Sequence, residues 1–128
     1  MIAVALRACA HGIYADEAAC ELLISHASWL HRGDFTGRFL NTGERITDGT
    51  PMASIDWTAA ITALDAGELP CSSGEGKMLR LAASLGAGAP VNLRDTLTGI
   101  DARGVSLVIT AVLHTSGQRP GSQIHDHS

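Results

Sequence analysis

The chemistry open to this chain starts with its thiols and imidazoles. Three cysteines (Cys9, Cys20 and Cys71) and six histidines are spread over 128 residues. Cys71 is the most suggestive thiol, because it stands just before a helix start and a helix N-terminus lowers thiol pKa. A catalytic thiol also needs a positioned base. His26 and His114 are the histidines a fold would have to bring to it. No catalytic set is assigned, and Cys71 remains the one candidate for a cysteine-dependent enzyme. The histidines form no metal pattern. No two lie four apart on one helix beside an acid, and His26 and His31 diverge at a spacing of five. Cys9, His11 and Cys20 match no zinc spacing. His125-Asp126-His127 sits in a polar terminus. No metal and no cofactor is expected.

A second candidate is the string Ser72-Ser73-Gly74-Glu75-Gly76-Lys77. Free N–H groups and the dipole at a helix start favour anions, which marks Ser73, Gly74, Gly76 and Lys77 as an anion-binding candidate. A phosphate loop needs a glycine five positions before Gly76, where Cys71 stands, and Ser or Thr after the lysine, where Met78 stands. Ser72 followed three residues later by Glu75 is a capping box. Extended through Leu79-Arg80-Leu81-Ala82-Ala83-Ser84-Leu85, the string resembles the signature helix of ABC-type ATPases. Ser73 stands where that family prefers glycine, and no other nucleotide-binding motif accompanies it, so the likeness is one of helix-start pattern.

The third candidate interleaves arginines with aromatics: Trp29, Arg32, Phe35, Arg38, Phe39 and Arg45. Such residues stack on bases and contact phosphates, and they are equally typical of protein interface hot spots. Asp34 and Glu44 reduce the three arginine charges to a local net of +1. Trp29, Arg32, Phe35, Arg38 and Arg45 are therefore the expected binding residues. The competing reading makes the aromatics core and the arginines a solvated rim.

The elements that must position these groups read as helices. Ile2 to Ala10 is a short apolar helix stopped by His11-Gly12. A second starts near Ala15-Asp16 and repeats Ala19, Leu22, Leu23, His26 and Leu30 at helical spacing. Asp34 is expected to cap a short helix through Phe39-Leu40. Asn41 to Met52, rich in Gly and Thr, reads as a loop. Ser54 or Asp56 opens a helix over Trp57 to Ala66, and Ser72 opens one ended by Gly86-Ala87-Gly88. Asn92 caps a short helix through Thr98. Asp101 caps the last one, where β-branched residues from Val105 to Val112 make a strand the competing assignment.

Composition bounds the rest. One domain over residues 1–117, followed by a polar tail over 118–128, fits the length. Apolar residues make up 45% and aromatics only 4%, so the core must rest on aliphatic side chains and alanine, which suits close helix packing. The expected fold is all-α, a single bundle of six or seven short helices. A net charge of −4 does not favour binding carried mainly by DNA phosphates. Three irregularly spaced cysteines are no disulfide framework, so reduced thiols in a cytoplasm are expected. No run approaches the ~20 apolar residues of a membrane helix. The expected function is a non-enzymatic helical interaction or regulatory module that binds a protein partner or its own copy. A small DNA-associated regulator and a cysteine-dependent enzyme using Cys71 are the alternatives.

Overall fold

In the computed structural model, which describes residues 2–118, the last four helices start where a polar side chain satisfies one of the first N–H groups. Seven α-helices and one two-stranded sheet occur among these residues: α1 (Ile2–Ala10), α2 (Tyr14–His26), α3 (Gly33–Phe39), β1 (Leu40–Glu44), β2 (Pro51–Ile55), α4 (Trp57–Asp65), α5 (Ser73–Ala87), α6 (Leu93–Leu97) and α7 (Ala102–Thr115). The chain is thus mostly helical, of the all-α class. Asp56 accepts from the Ala59 N–H at 3.1 Å, Asn92 from Asp95 at 3.1 Å and Asp101 from Gly104 at 2.7 Å. Ser72 and Glu75 form the reciprocal capping box. The cap on Asp101 decides the β-branched stretch in favour of helix. The polar tail expected over 118–128 lies, apart from Gln118, outside the described residues, His125 and His127 included.

Two local expectations are corrected. Asp34 does not cap α3: Arg32 occupies the N-cap position without a side-chain cap bond, and its guanidinium takes the Asp34 carboxylate instead. The segment from Asn41 to Met52 is not a plain loop. Leu40 pairs with Ile55 and Glu44 with Pro51 in an antiparallel hairpin. Its strand signal was faint because β1 is almost wholly exposed, so no apolar alternation marks it. The burial sits on β2, where Ala53 and Ile55 turn inward and pack with α1. Asp48 accepts the Thr50 N–H at 3.0 Å and closes the connecting turn.

Helix α2 is the axis of the bundle and packs against α1, α5 and α7. Leu6, Leu23, Trp29, Phe35, Met78 and Leu79 are its largest fully buried side chains. Trp29, in a 3-10 turn after α2, lies 5.3 Å from Phe35 between ring centroids, and Phe35 lies 5.4 Å from Phe39. The Trp29 indole N–H donates to the Glu75 carbonyl at 2.9 Å, tying this aromatic row to α5. Among the described residues no helix is long and apolar enough to cross a membrane.

Helices α4 and α5 meet where Trp57 lies over Gly86. A Cβ at position 86 would stand 2.4 Å from Trp57 Nε1 and 2.7 Å from Cε2. Gly86→Ala gains about 1 kcal/mol of helix propensity but overpacks the contact at about 1–3 kcal/mol. Denaturant unfolding should therefore find Gly86→Ala destabilising in the native protein. In a Trp57→Ala background the same change should become stabilising. A stabilising effect in both backgrounds would show that Trp57 moves aside freely.

Candidate functional site

Each sequence-derived site can be followed to its place in the fold. Trp29 and Phe35 are fully buried: their area is spent on the core, as that of scarce aromatics in a small domain usually is, and neither ring is at the surface. Arg32 lies over the Trp29 ring at 4.7 Å. It donates to both Asp34 oxygens, at 2.9 and 2.6 Å, and to the Pro70 carbonyl at 2.7 Å. Arg38 covers Phe39 at 4.8 Å and bonds Glu68 at 2.8 Å. Arg45 bonds Asp48 at 3.2 Å. Each of the three arginines is thus held by a carboxylate of this chain, and two of them shield core aromatics. The segment offers little unpaired positive charge to a phosphate backbone.

The anion-binding expectation meets a similar occupant. At the start of α5, Ser72 accepts the Glu75 N–H at 3.1 Å, and the Glu75 carboxylate takes the Ser72 N–H at 2.9 Å. A carboxylate of the chain therefore already takes the Ser72 N–H and brings its negative charge to this helix start. Lys77 turns away and donates to the Thr98 carbonyl at 2.5 Å, while Gly76 is buried against Cys71 and Leu64. Cys71 is exposed, yet desolvation and then the Glu75 charge raise its thiol pKa, against Arg32 and Arg80. The expected lowering fails because desolvation, and then the Glu75 charge, outweigh the groups that favour the thiolate, and no histidine is among the groups acting on this thiol. Cys20, a buried residue of α2, is pushed up to about 12 by desolvation and then by Asp16.

The two histidines considered as bases stand apart in two different pockets. His26, at the last position of α2, lines a pocket of about 280 Å³ with Ser72, Gly74, Glu75, Met78, Gly99, Ile100 and Asp101. The starts of α5 and α7 meet there. His26 Nδ1 is buried without a hydrogen-bond partner. Desolvation, and then Arg103, hold this imidazole below its ordinary value, against Glu75 and Asp101. The next residue, Ala27, has a φ of 77°, a conformation that costs a non-glycine residue of order 1–3 kcal/mol. His114 lies at the other end of α7, where its Nε2 meets Glu17 at 2.8 Å. The Gly12 N–H, first, and His114 keep the Glu17 carboxyl below its usual range. Among the described residues no three His, Cys, Asp or Glu side chains are grouped to hold a metal ion.

The feature that sequence reasoning missed is an apolar surface on α6 and α7. Leu93, Leu97, Val105, Ile109 and Val112 each leave between 39 and 58% of their surface exposed. Beside them runs a groove of about 200 Å³ between α5, α6 and α7, floored by Leu81, Leu85 and Ala111 and edged by Leu93, Leu97, Val108 and Val112. Val112 belongs to both, so groove and exposed stripe are continuous. The signal was present in the sequence. Val105, Leu107, Val108, Ile109, Ala111, Val112 and Leu113 run round more than half of one helix, too wide a band for a single buried stripe. Helix α7 buries only Gly104 and Ala111 fully; Leu107 and Val108 are half-buried against the core, and Val105, Ile109 and Val112 remain outside.

Comparison with protein families, with curated proteins and with solved structures finds no match for this chain.

Two measurements test these environments. A histidine with a depressed folded-state pKa binds fewer protons folded than unfolded. Its contribution is complete above the unfolded value near 6.5 and is lost as pH falls through the lower folded value. The melting temperature of the native protein should therefore drop between about pH 7.5 and 5. His26→Gln should flatten that drop; an unchanged slope would remove His26 as its source. In a short iodoacetamide pulse at neutral pH read by mass spectrometry, Cys71 should alkylate more slowly than a free cysteine, and Cys20 only after unfolding. Faster labelling at Cys71 would restore it as a reactive thiol.

Proposed function

We propose that this chain is a non-enzymatic helical interaction module that binds protein through the outward face of α6 and α7. The observation that carries this reading is the exposed apolar surface, uncharged along α7, that is continuous with a groove. The outward side of a surface helix is ordinarily polar or charged. On α7 the charged and ionisable residues are Arg103 and His114. Both lie on the flank toward α2, where Arg103 donates to the Ser25 carbonyl and His114 meets Glu17. The side away from α2 carries Val105, Ile109 and Val112 with Ala102, Ser106 and Ser116, and no charge among them. Contiguous apolar surface rimmed by polar residues marks interaction sites. Three free thiols support a reducing, cytoplasmic setting for such a module. The pairing of Arg32, Arg38 and Arg45 with carboxylates favours a protein partner over a nucleic acid. The raised thiol pKa of Cys71 favours binding over thiol catalysis.

The test is a photoreactive benzoylphenylalanine placed at position 109, with position 58 on α4 as control, in protein expressed in its host cells. Irradiation should give discrete protein adducts from position 109 and none above background from position 58. Absence of any adduct at 109 would overturn the reading.

A further inference from the structure

We infer that the partner seated on this face is a second copy of the chain, with α7 crossing α7 of the other copy in antiparallel fashion about Ile109. The inference rests on the interaction-module reading and goes one step past it, to the occupant.

Its first support is the arrangement of the stripe. Val105, Ile109 and Val112 are all exposed and follow one another at spacings of four and three, a seam that keeps one side of a helix toward a partner. Val105 and Val112 flank Ile109 almost symmetrically. A two-fold interface sets the same patch against itself, so residue i meets j and j meets i. In an antiparallel crossing, Ile109 then meets its own counterpart and Val105 meets the partner's Val112. A β-branched pair thus stands on each side of the axis.

Charge supports the same occupant. A patch that faces itself must not carry a net charge, because like charges would meet. The outward side of α7 carries none, and α6 places one charge of each sign, Arg94 and Asp95, next to its exposed leucines. Ala102 and Ser106, both exposed on the same helix, are small enough to let two helix axes approach closely.

Area is sufficient. Five side chains that are 39–58% exposed supply on the order of 400 Å² per copy, about half of the ~800 Å² per partner in a standard interface. The small residues of α7 and the adjoining groove extend the contact beyond those five.

Sedimentation equilibrium of the full chain should find a mass of two chains at tens of micromolar. Ile109→Asp should weaken the dimer by on the order of 100-fold, since symmetry places two carboxylates face to face in a dry contact. Circular dichroism and melting of the diluted variant should match the native monomer. Cysteine placement checks the orientation, with Cys9 and Cys71 replaced by Ser. Ile109→Cys should form a disulfide-linked dimer under mild oxidation. Val105→Cys mixed with Val112→Cys should form the mixed dimer, and Val105→Cys alone should not couple to itself. Val105→Cys coupling to itself would overturn the antiparallel crossing. A dimer indifferent to Ile109→Asp would overturn the inferred interface. A monomer at every concentration, with photo-adducts at 109 to a different protein, would overturn the second copy while leaving the interaction module standing. A monomer with no adduct at 109 would overturn both.

Discussion

The structure depends on the burial of one indole. Trp29 is fully enclosed although it lies in a short turn rather than inside a long helix, and four contacts hold it there. Phe35 meets its ring, the Glu75 carbonyl accepts its N–H, Arg32 lies over it, and the C-terminal end of α2 leads directly into it. In a chain with two Trp, two Phe and one Tyr, this row of Trp29, Phe35 and Phe39 is most of the aromatic area available. It joins α2, α3 and α5 at one point. A buried indole N–H without an acceptor would cost about 1–3 kcal/mol, so the carbonyl at Glu75 also fixes where α5 begins relative to α2. The pocket around His26 follows from that placement, because His26 ends α2 three residues before Trp29 and the capping box at Ser72 begins α5 beside it.

The arginines gain their role from the same constraint. Arg32 and Arg38 carry long side chains whose planar heads cover aromatic faces while remaining in water. Their carboxylate partners, Asp34 and Glu68, are about half exposed, so solvent screens each pair and neither is a main source of stability. What the pairs do is hold a guanidinium over a ring that solvent would otherwise reach.

Much of this fold was legible because helix starts are local. Asp56, Ser72, Asn92 and Asp101 each announce a helix through the side chain that satisfies its first N–H groups, and each was readable within four residues of sequence. The hairpin was hidden for the opposite reason. Its exposed strand has no periodic burial to write into the sequence, and its partner Pro51–Ile55 is short. Asp34 misled because an aspartate near a helix start can bind a neighbouring arginine as readily as a backbone N–H. The arginine–aromatic segment was legible as a group of residues but not as a direction. Sequence places Trp29 and Arg32 together without saying that the ring turns inward and the guanidinium closes over it. Cys71 shows the same limit, because desolvation first, and then Glu75 four residues on, raise the thiol that its position suggested would be lowered.

The outward face of α7 is a consequence of geometry rather than of an excess of apolar residues. Arg103 and His114 are eleven residues apart, three turns of helix to within about 20°, so they project from the same flank. Both reach α2, one to the Ser25 carbonyl near its end and the other to Glu17 near its start. Two polar ties on one flank fix the rotation of α7 about its own axis. Gly104 and Ala111, facing the bundle, let the helix sit close to α2 and α5 with little side chain between them. To bury Val105, Ile109 and Val112, the helix would have to roll, break both ties and push its larger residues into a space sized for glycine and alanine. The apolar stripe is therefore held outward by the same contacts that seat the helix, and none of the described residues covers it.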